Sequence, residues 1–239
     1  MSDIQNLNND QAVAAKAAEL TVQLLKNSVE KQGKALWVLA GASTPMKAYQ
    51  EINNNYSKNL DWSKVWISLG DERLVPLDDP DSNWGNIEPS LDELDFRQDH
   101  LILPNFNLNG QAAEDYYNDQ LSRIAENGIL SIDVLWLGIG EDGHTLSLFP
   151  GKKEIDTPSF ACLVNDSPKP PSSRISLTLS GLRTVKQCFV LATGETKAEV
   201  VKSVRNGNSE LPISRVIKQI EDNNGQVTWL VDQAAASLI

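Results

Sequence analysis

The sequence predicts an α/β fold in which a largely parallel sheet is covered by helices on both faces, built as a single domain over residues 1–239. Three observations carry this. Short apolar runs recur, helical stretches separate them, and several runs stop at a glycine. At 239 residues and 41% hydrophobic content the chain can bury a sizeable core. No repeat, low-complexity tract or linker-like shift in composition divides it.

The elements follow in order. Asp10 reads as the N-cap of a helix reaching Lys31, with Val13, Ala17, Leu20, Leu24 and Leu25 at helical spacing. Residues 35–40 read as a strand ending at Gly41, and Thr44-Pro45 opens the next helix, where the first turn tolerates proline. The alternation continues with a strand at 65–69, a helix at 112–124 and strands at 132–137 and 187–193. A helix from Glu195 and a strand at 227–231 complete it. The strongest break is 165–173, with Pro168, Pro170 and Pro171, either a loop over a site or only a connection. A ligand is expected at the carboxyl ends of the strands.

Composition excludes several function classes. Twenty-one basic against 32 acidic residues give a net charge of -11, which opposes binding to nucleic acid or anionic membranes, so an anionic ligand needs a local cationic pocket. The polar, Asn-rich residues 1–9 do not read as a secretory signal, and no 18-residue apolar run suggests a membrane span. Cys162 and Cys188 lie in apolar runs and are expected as buried free thiols, consistent with a cytoplasmic location. No His/Cys cluster or carboxylate set has metal-ligand spacing, and neither metal nor cofactor is expected. Monomer and dimer both stay open.

Four loops carry chemistry. Gly41-Ala42-Ser43-Thr44-Pro45 follows a strand and opens a helix, a place that suits a phosphate or an oxyanion but is also ordinary capping chemistry. Gly70-Asp71-Glu72-Arg73, with Asn83 a little further on, sets carboxylates beside a guanidinium, either a substrate clamp or a solvated ion pair. Gly138, Gly140 and Gly143 formally satisfy a dinucleotide-binding spacing, but Pro150-Gly151 interrupts the helix that such a fold requires. The glycines instead allow a turn that presents Asp142 and His144 together. Of the two histidines, His100 begins a strand, which leaves His144 as the candidate base. In Thr193-Gly194-Glu195-Thr196-Lys197 a lysine falls in the first helical turn, a poor place for a cation unless an anion sits nearby.

Together these segments resemble the 6-phosphogluconolactonase family, within the group that includes glucosamine-6-phosphate deaminase and ribose-5-phosphate isomerase. The matching motifs are G-A-S-T-P at 41–45, G-D-E-R-L-V-P at 70–76 with Ser82-Asn83, and G-I-G-E-D-G-H-T-L-S-L-F-P at 138–150. The segments R-I-S-L-T at 174–178 and 193–197 also match. Ala42 and Leu146 depart from the usual glycine and alanine, and Ala42 would strain a turn that needs positive φ. The resemblance implies a Rossmann-like sheet and hydrolysis of 6-phosphoglucono-δ-lactone, with His144 and Asp142 catalytic. Gly41, Ala42, Ser43, Thr44, Asp71, Arg73, Asn83, Gly143, Arg174 and Lys197 would hold the substrate. In the deaminases a glutamate stands where this chain has Phe149, which disfavours the alternative of a glucosamine-6-phosphate deaminase or sugar-phosphate isomerase. A non-catalytic sugar-phosphate sensor is the third reading.

Overall fold

A computed structural model describes residues 2–41 and 43–239, so Ala42 and the expectations attached to it lie outside the described residues. Seven parallel strands form one sheet: β1 (Asp3–Leu7), β2 (Ala35–Leu39), β3 (Val65–Leu69), β5 (Leu101–Ile102), β6 (Ser131–Leu137), β9 (Thr184–Ala192) and β10 (Gln226–Asp232). Their order across it is β1-β10-β9-β6-β2-β3-β5. From β2 the chain moves outward to β3, whereas from β6 it moves the other way to β9. The direction of winding therefore reverses between β2 and β6, and a parallel sheet opens a crevice at such a point beyond the carboxyl ends of its strands.

The uninterrupted apolar runs are explained by burial on both faces. Successive side chains point to opposite sides of a strand, so Leu36 and Val38 of β2 enter one core while Trp37 and Leu39 enter the other. The second core is closed by α1 (Asp10–Gln32) and α2 (Ser43–Tyr56), with Val13, Ala17, Tyr49 and Ile52 fully buried. Opposite them pack α4 (Gly110–Ile124), α5 (Ala198–Arg205) and α6 (Pro212–Asp222), through Tyr117, Val201, Val216 and Ile220. Trp136 of β6 stacks on Tyr49 and donates its indole N–H to Thr21 of α1, tying sheet, α1 and α2 together.

Several local expectations are corrected. The N-cap of α1 is Asn9, whose side chain accepts from the Ala12 N–H, and Asp10 is instead the first helical residue, paired with Lys47. Residues 3–7 form an edge strand despite their polarity, because their backbone completes the ladder with β10. After β9 comes a 3-10 turn, Glu195–Lys197, and the α-helix begins only at Ala198. Lys197 thus stands at the helix entrance and not inside its first turn.

A small antiparallel sheet stands beside the carboxyl ends of the main strands. It joins β4 (Asp71–Arg73), β8 (Arg174–Leu177) and β7 (Ala161–Val164) in that order. Because β4 follows β3 after Gly70 alone, and β8 pairs with it, Arg174 is brought opposite Arg73. No helix among the described residues is long and apolar enough to cross a membrane.

Candidate active site

The loops after β2, β3, β6 and β9 leave four adjacent strands and enclose a cavity of about 180 Å³. Gly41, Asp71, Arg73, Asn83, His144, Arg174 and Lys197 line it, joined by Gly138, Gly140, Leu146 and Lys169. Thr44 sits behind this wall, its hydroxyl 2.9 Å from that of Thr193, so it ties the first loop to the fourth. Ser43 is exposed at the start of α2, and neither the buried Gly143 nor the exposed Asp142 is part of the lining.

The His144 turn is built by backbone geometry. Gly143 adopts φ 82, a left-handed conformation that L side chains resist. Its N–H donates to the Gly140 carbonyl at 2.9 Å, and the Gly140 N–H donates to the His144 carbonyl at 2.8 Å. Gly140 matters through space: a β-carbon there would lie 2.0 Å from His144 Nδ1 and 2.6 Å from Asp142 Oδ1. The Asp142–His144 pair thus rests directly on a bare backbone. Leu146, one turn on, is also left-handed at φ 55 while facing the cavity, a conformation that costs a branched residue about 1–2 kcal/mol.

Asp142 Oδ1 bonds the His144 ring at Nδ1 and accepts the His144 backbone N–H at 3.2 Å. A carboxylate there fixes the tautomer with the proton on Nδ1, which leaves Nε2 as a lone-pair acceptor. Burial pushes the imidazole pKa below its ordinary value, against the raising effect of Asp142, so the neutral base is favoured at cellular pH. Burial also opposes ionisation of Asp142, but the His144 ring, its N–H and Lys169 outweigh this and hold the carboxyl below the usual range. The Phe149 ring lies 4.8 Å from that of His144 and buttresses it from behind the cavity. His100 is far from this chemistry, stacked at 4.0 Å on Trp66 of β3.

Positive charge is concentrated around the cavity. Arg73 donates from one terminal nitrogen to the Asp81 carbonyl at 2.7 Å, yet its Nε is buried with no partner among the described residues. An orphaned guanidinium N–H beside a cavity suits an anionic oxygen. Lys169 and Lys197 also face the cavity and make no ion pair among the described residues. The nearest lining carboxylate, Asp71, accepts the Ser147 hydroxyl at 2.5 Å. A larger cavity of about 250 Å³ opens at the amino ends of β2 and β6, but its cations are neutralised: Lys34 pairs with Glu126 and Arg123 with Asp119.

Two residues were given no role of their own from the sequence. Lys169 lies in the proline-rich break at 165–173, which arches to the cavity, and only its position in the fold reveals it. Glu72 is fully buried and holds the Asp71–Asn83 corner: it accepts the N–H groups of Arg73, Asn83 and Trp84 at 2.7, 2.7 and 2.8 Å. Burial pushes its carboxyl up to about 7, although those backbone donors pull the other way. Asn83 in turn donates to the Asp71 carbonyl at 2.8 Å. Glu72→Ala strands three donors, and at about 1–3 kcal/mol for each buried group it is expected to destabilise the fold by at least about 3 kcal/mol. Thermal unfolding measures this as a loss of roughly 6–12 °C, and an unchanged midpoint would contradict the capping role.

The chain is similar to several known proteins. A 6-phosphogluconolactonase of Haemophilus influenzae is 31% identical over 210 residues, covering 84% of this chain and 86% of the relative. The human 6-phosphogluconolactonase is 36% identical over 176 residues, covering 72% and 67%. The solved 6-phosphogluconolactonase of Trypanosoma brucei superposes with a TM-score of 0.86 at 25% identity, over 99% of this chain and 98% of that one. A monomeric glucosamine-6-phosphate deaminase also superposes, with a TM-score of 0.80 at 23% identity over 99% and 100%, so the fold alone does not separate the two activities. The family profile described as glucosamine-6-phosphate isomerases/6-phosphogluconolactonase matches residues 8–229, and this chain belongs to that family.

Proposed function

We propose that this chain is a lactone hydrolase, a single domain over residues 1–239 that opens 6-phosphoglucono-δ-lactone to 6-phosphogluconate, the second step of the oxidative pentose phosphate pathway. The observation that carries this reading is an Asp142-oriented His144 facing a cavity rimmed by unpaired cations. His144 Nε2 takes a proton from water as the water oxygen bonds to C1, and the carbonyl electron pair moves onto its oxygen. The tetrahedral intermediate then collapses: the bond from C1 to the ring oxygen breaks, and His144 returns the proton to that oxygen. The resulting carboxylic acid releases its own proton to solvent.

The 6-phosphate sits among Arg73, Lys197 and the helix entrance at Ser43 and Thr44, while the bare Gly41 leaves room for the Asn83 amide packed against it. Asp71 and Asn83 hold sugar hydroxyls. Phe149 supports the lactonase reading over a deaminase, since an apolar ring 4.8 Å from the imidazole supplies no acid for ring opening or isomerisation. A cytoplasmic location belongs to the same reading, supported by two buried free thiols.

The test is lactone hydrolysis measured against a no-enzyme control at each pH, since δ-lactones also open unaided. Acceleration is expected, together with no ammonia from glucosamine 6-phosphate; no acceleration would sink the proposal. The enzymatic kcat/KM should fall as pH drops, because protonation removes the base. Its midpoint should lie below about 6.5, the ordinary imidazole value, since burial disfavours the charged ring.

A further inference from the structure

Arg174 is 4% exposed, and four of its five N–H donors are already committed. Nε donates to the Pro171 carbonyl at 2.9 Å, while Nη2 donates to the carbonyls of Lys169 and Pro170 at 3.0 and 3.1 Å. Nη1 reaches the Ser147 hydroxyl at 3.4 Å, and the guanidinium carbon lies 5.7 Å from the centre of the Phe149 ring. With the Nε/Nη2 edge filled by three consecutive carbonyls and Nη1 turned to Ser147, no free fork remains for a phosphate. Arg174 is built into the wall as a clamp on the arch at 165–173.

The clamp grips the backbone of Lys169 itself. The Lys169 side chain is exposed, faces the cavity, and has no ion pair among the described residues. The Phe149 ring lies 4.8 Å from that of His144 and 5.7 Å from the Arg174 guanidinium carbon, and Arg174 Nη2 holds the Lys169 carbonyl at 3.0 Å, so the arch carrying Lys169 stands at the His144 end of the cavity. The carboxylates at this end are Asp142, bonded to the His144 ring, and Asp71 in the same lining, and Lys169 is a cation of that lining with no ion pair among the described residues.

We propose that the Lys169 ammonium is a catalytic group that stabilises the negative charge developing on the C1 oxygen, and that Arg174 is a positioning residue acting through it. This rests on the lactonase reading above. When the water oxygen bonds to C1, the carbonyl electron pair moves onto the exocyclic oxygen, and an ammonium beside it lowers the energy of that intermediate. No proton leaves Lys169, and the charge returns to neutral on that oxygen when the ring C–O bond breaks.

The test uses the full chain, with Lys169→Met, Arg174→Lys and the double variant assayed beside the wild type on 6-phosphoglucono-δ-lactone. A preorganised oxyanion donor contributes about 10²–10³-fold, and a mobile surface ammonium is expected to contribute about 10-fold. Lys169→Met should therefore lower kcat about tenfold with KM nearly unchanged, and should shift the acid limb of the pH profile upward, since a cation near His144 is gone. Arg174→Lys should lower kcat in the same sense, and the double variant should be no slower than Lys169→Met. A raised KM with normal kcat would assign Lys169 to the phosphate end and overturn the proposal, as would wild-type kcat and an unmoved pH profile. Additive losses in the double variant would overturn the positioning role of Arg174. Because Lys169 is exposed, its variant keeps the test informative even if Arg174→Lys fails to fold. A wild type that does not accelerate lactone opening overturns the lactonase reading itself, a result distinct from an active wild type with an indifferent Lys169→Met.

Discussion

His144→Ala is expected to lower turnover of 6-phosphoglucono-δ-lactone by about 10²–10⁴-fold, the usual weight of the general acid–base catalysis proposed for it, with little change in stability. The magnitude follows from the single ring nitrogen left free. Asp142 occupies Nδ1, so removing the ring removes both the base for water and the acid for the departing ring oxygen. Among the described residues its only side-chain hydrogen bond goes to an exposed partner, which is why stability should hold. Steady-state rates after subtraction of the spontaneous reaction, paired with a circular dichroism melt, decide it. A folded His144→Ala protein with near-normal turnover would eliminate the water-activation role.

Gly140→Ala is expected to cost roughly 10²-fold in kcat without touching any group that does chemistry. Its new β-carbon would fall within 2.0 Å of His144 Nδ1, so the imidazole or the turn must move by about an ångström. Displacements of that size in a reacting group typically cost on the order of 10²-fold. The nearest contacts of the new methyl are the His144 and Asp142 side chains and not a core residue, so the melt should change little. Crystallography of the variant should find the His144–Asp142 bond lengthened or lost, and full activity with the pair in place would refute the close-contact argument.

Much of the fold was legible because parallel strands covered on both sides leave continuous apolar runs, and the runs at 35–40, 65–69 and 132–137 became β2, β3 and β6. The edge strand β1 was not, since an outer strand is recruited by backbone hydrogen bonds and its polar side chains carry no pattern. The antiparallel sheet escaped for a related reason: β4 is three residues long and joins β8 across about a hundred residues of chain, a pairing that periodicity does not encode. Phe149 was legible as the absence of an acid but not as the ring that backs His144, a contact created only by the turn.

By itself the sequence determined the alternation of strands and helices, the four loops with their chemical groups, and the family those motifs resemble. Local spacing and residue type suffice for these, because turns, caps and apolar periods are short-range properties. Tertiary structure decided which of those groups face one cavity and which are spent on holding it. Arg73 and Arg174 are both arginines on paired strands that line the cavity, yet Arg73 leaves its buried Nε without an acceptor among the described residues while Arg174 is held by three carbonyls. A guanidinium's availability depends on the acceptors that surround it in space, and those come from distant parts of the chain.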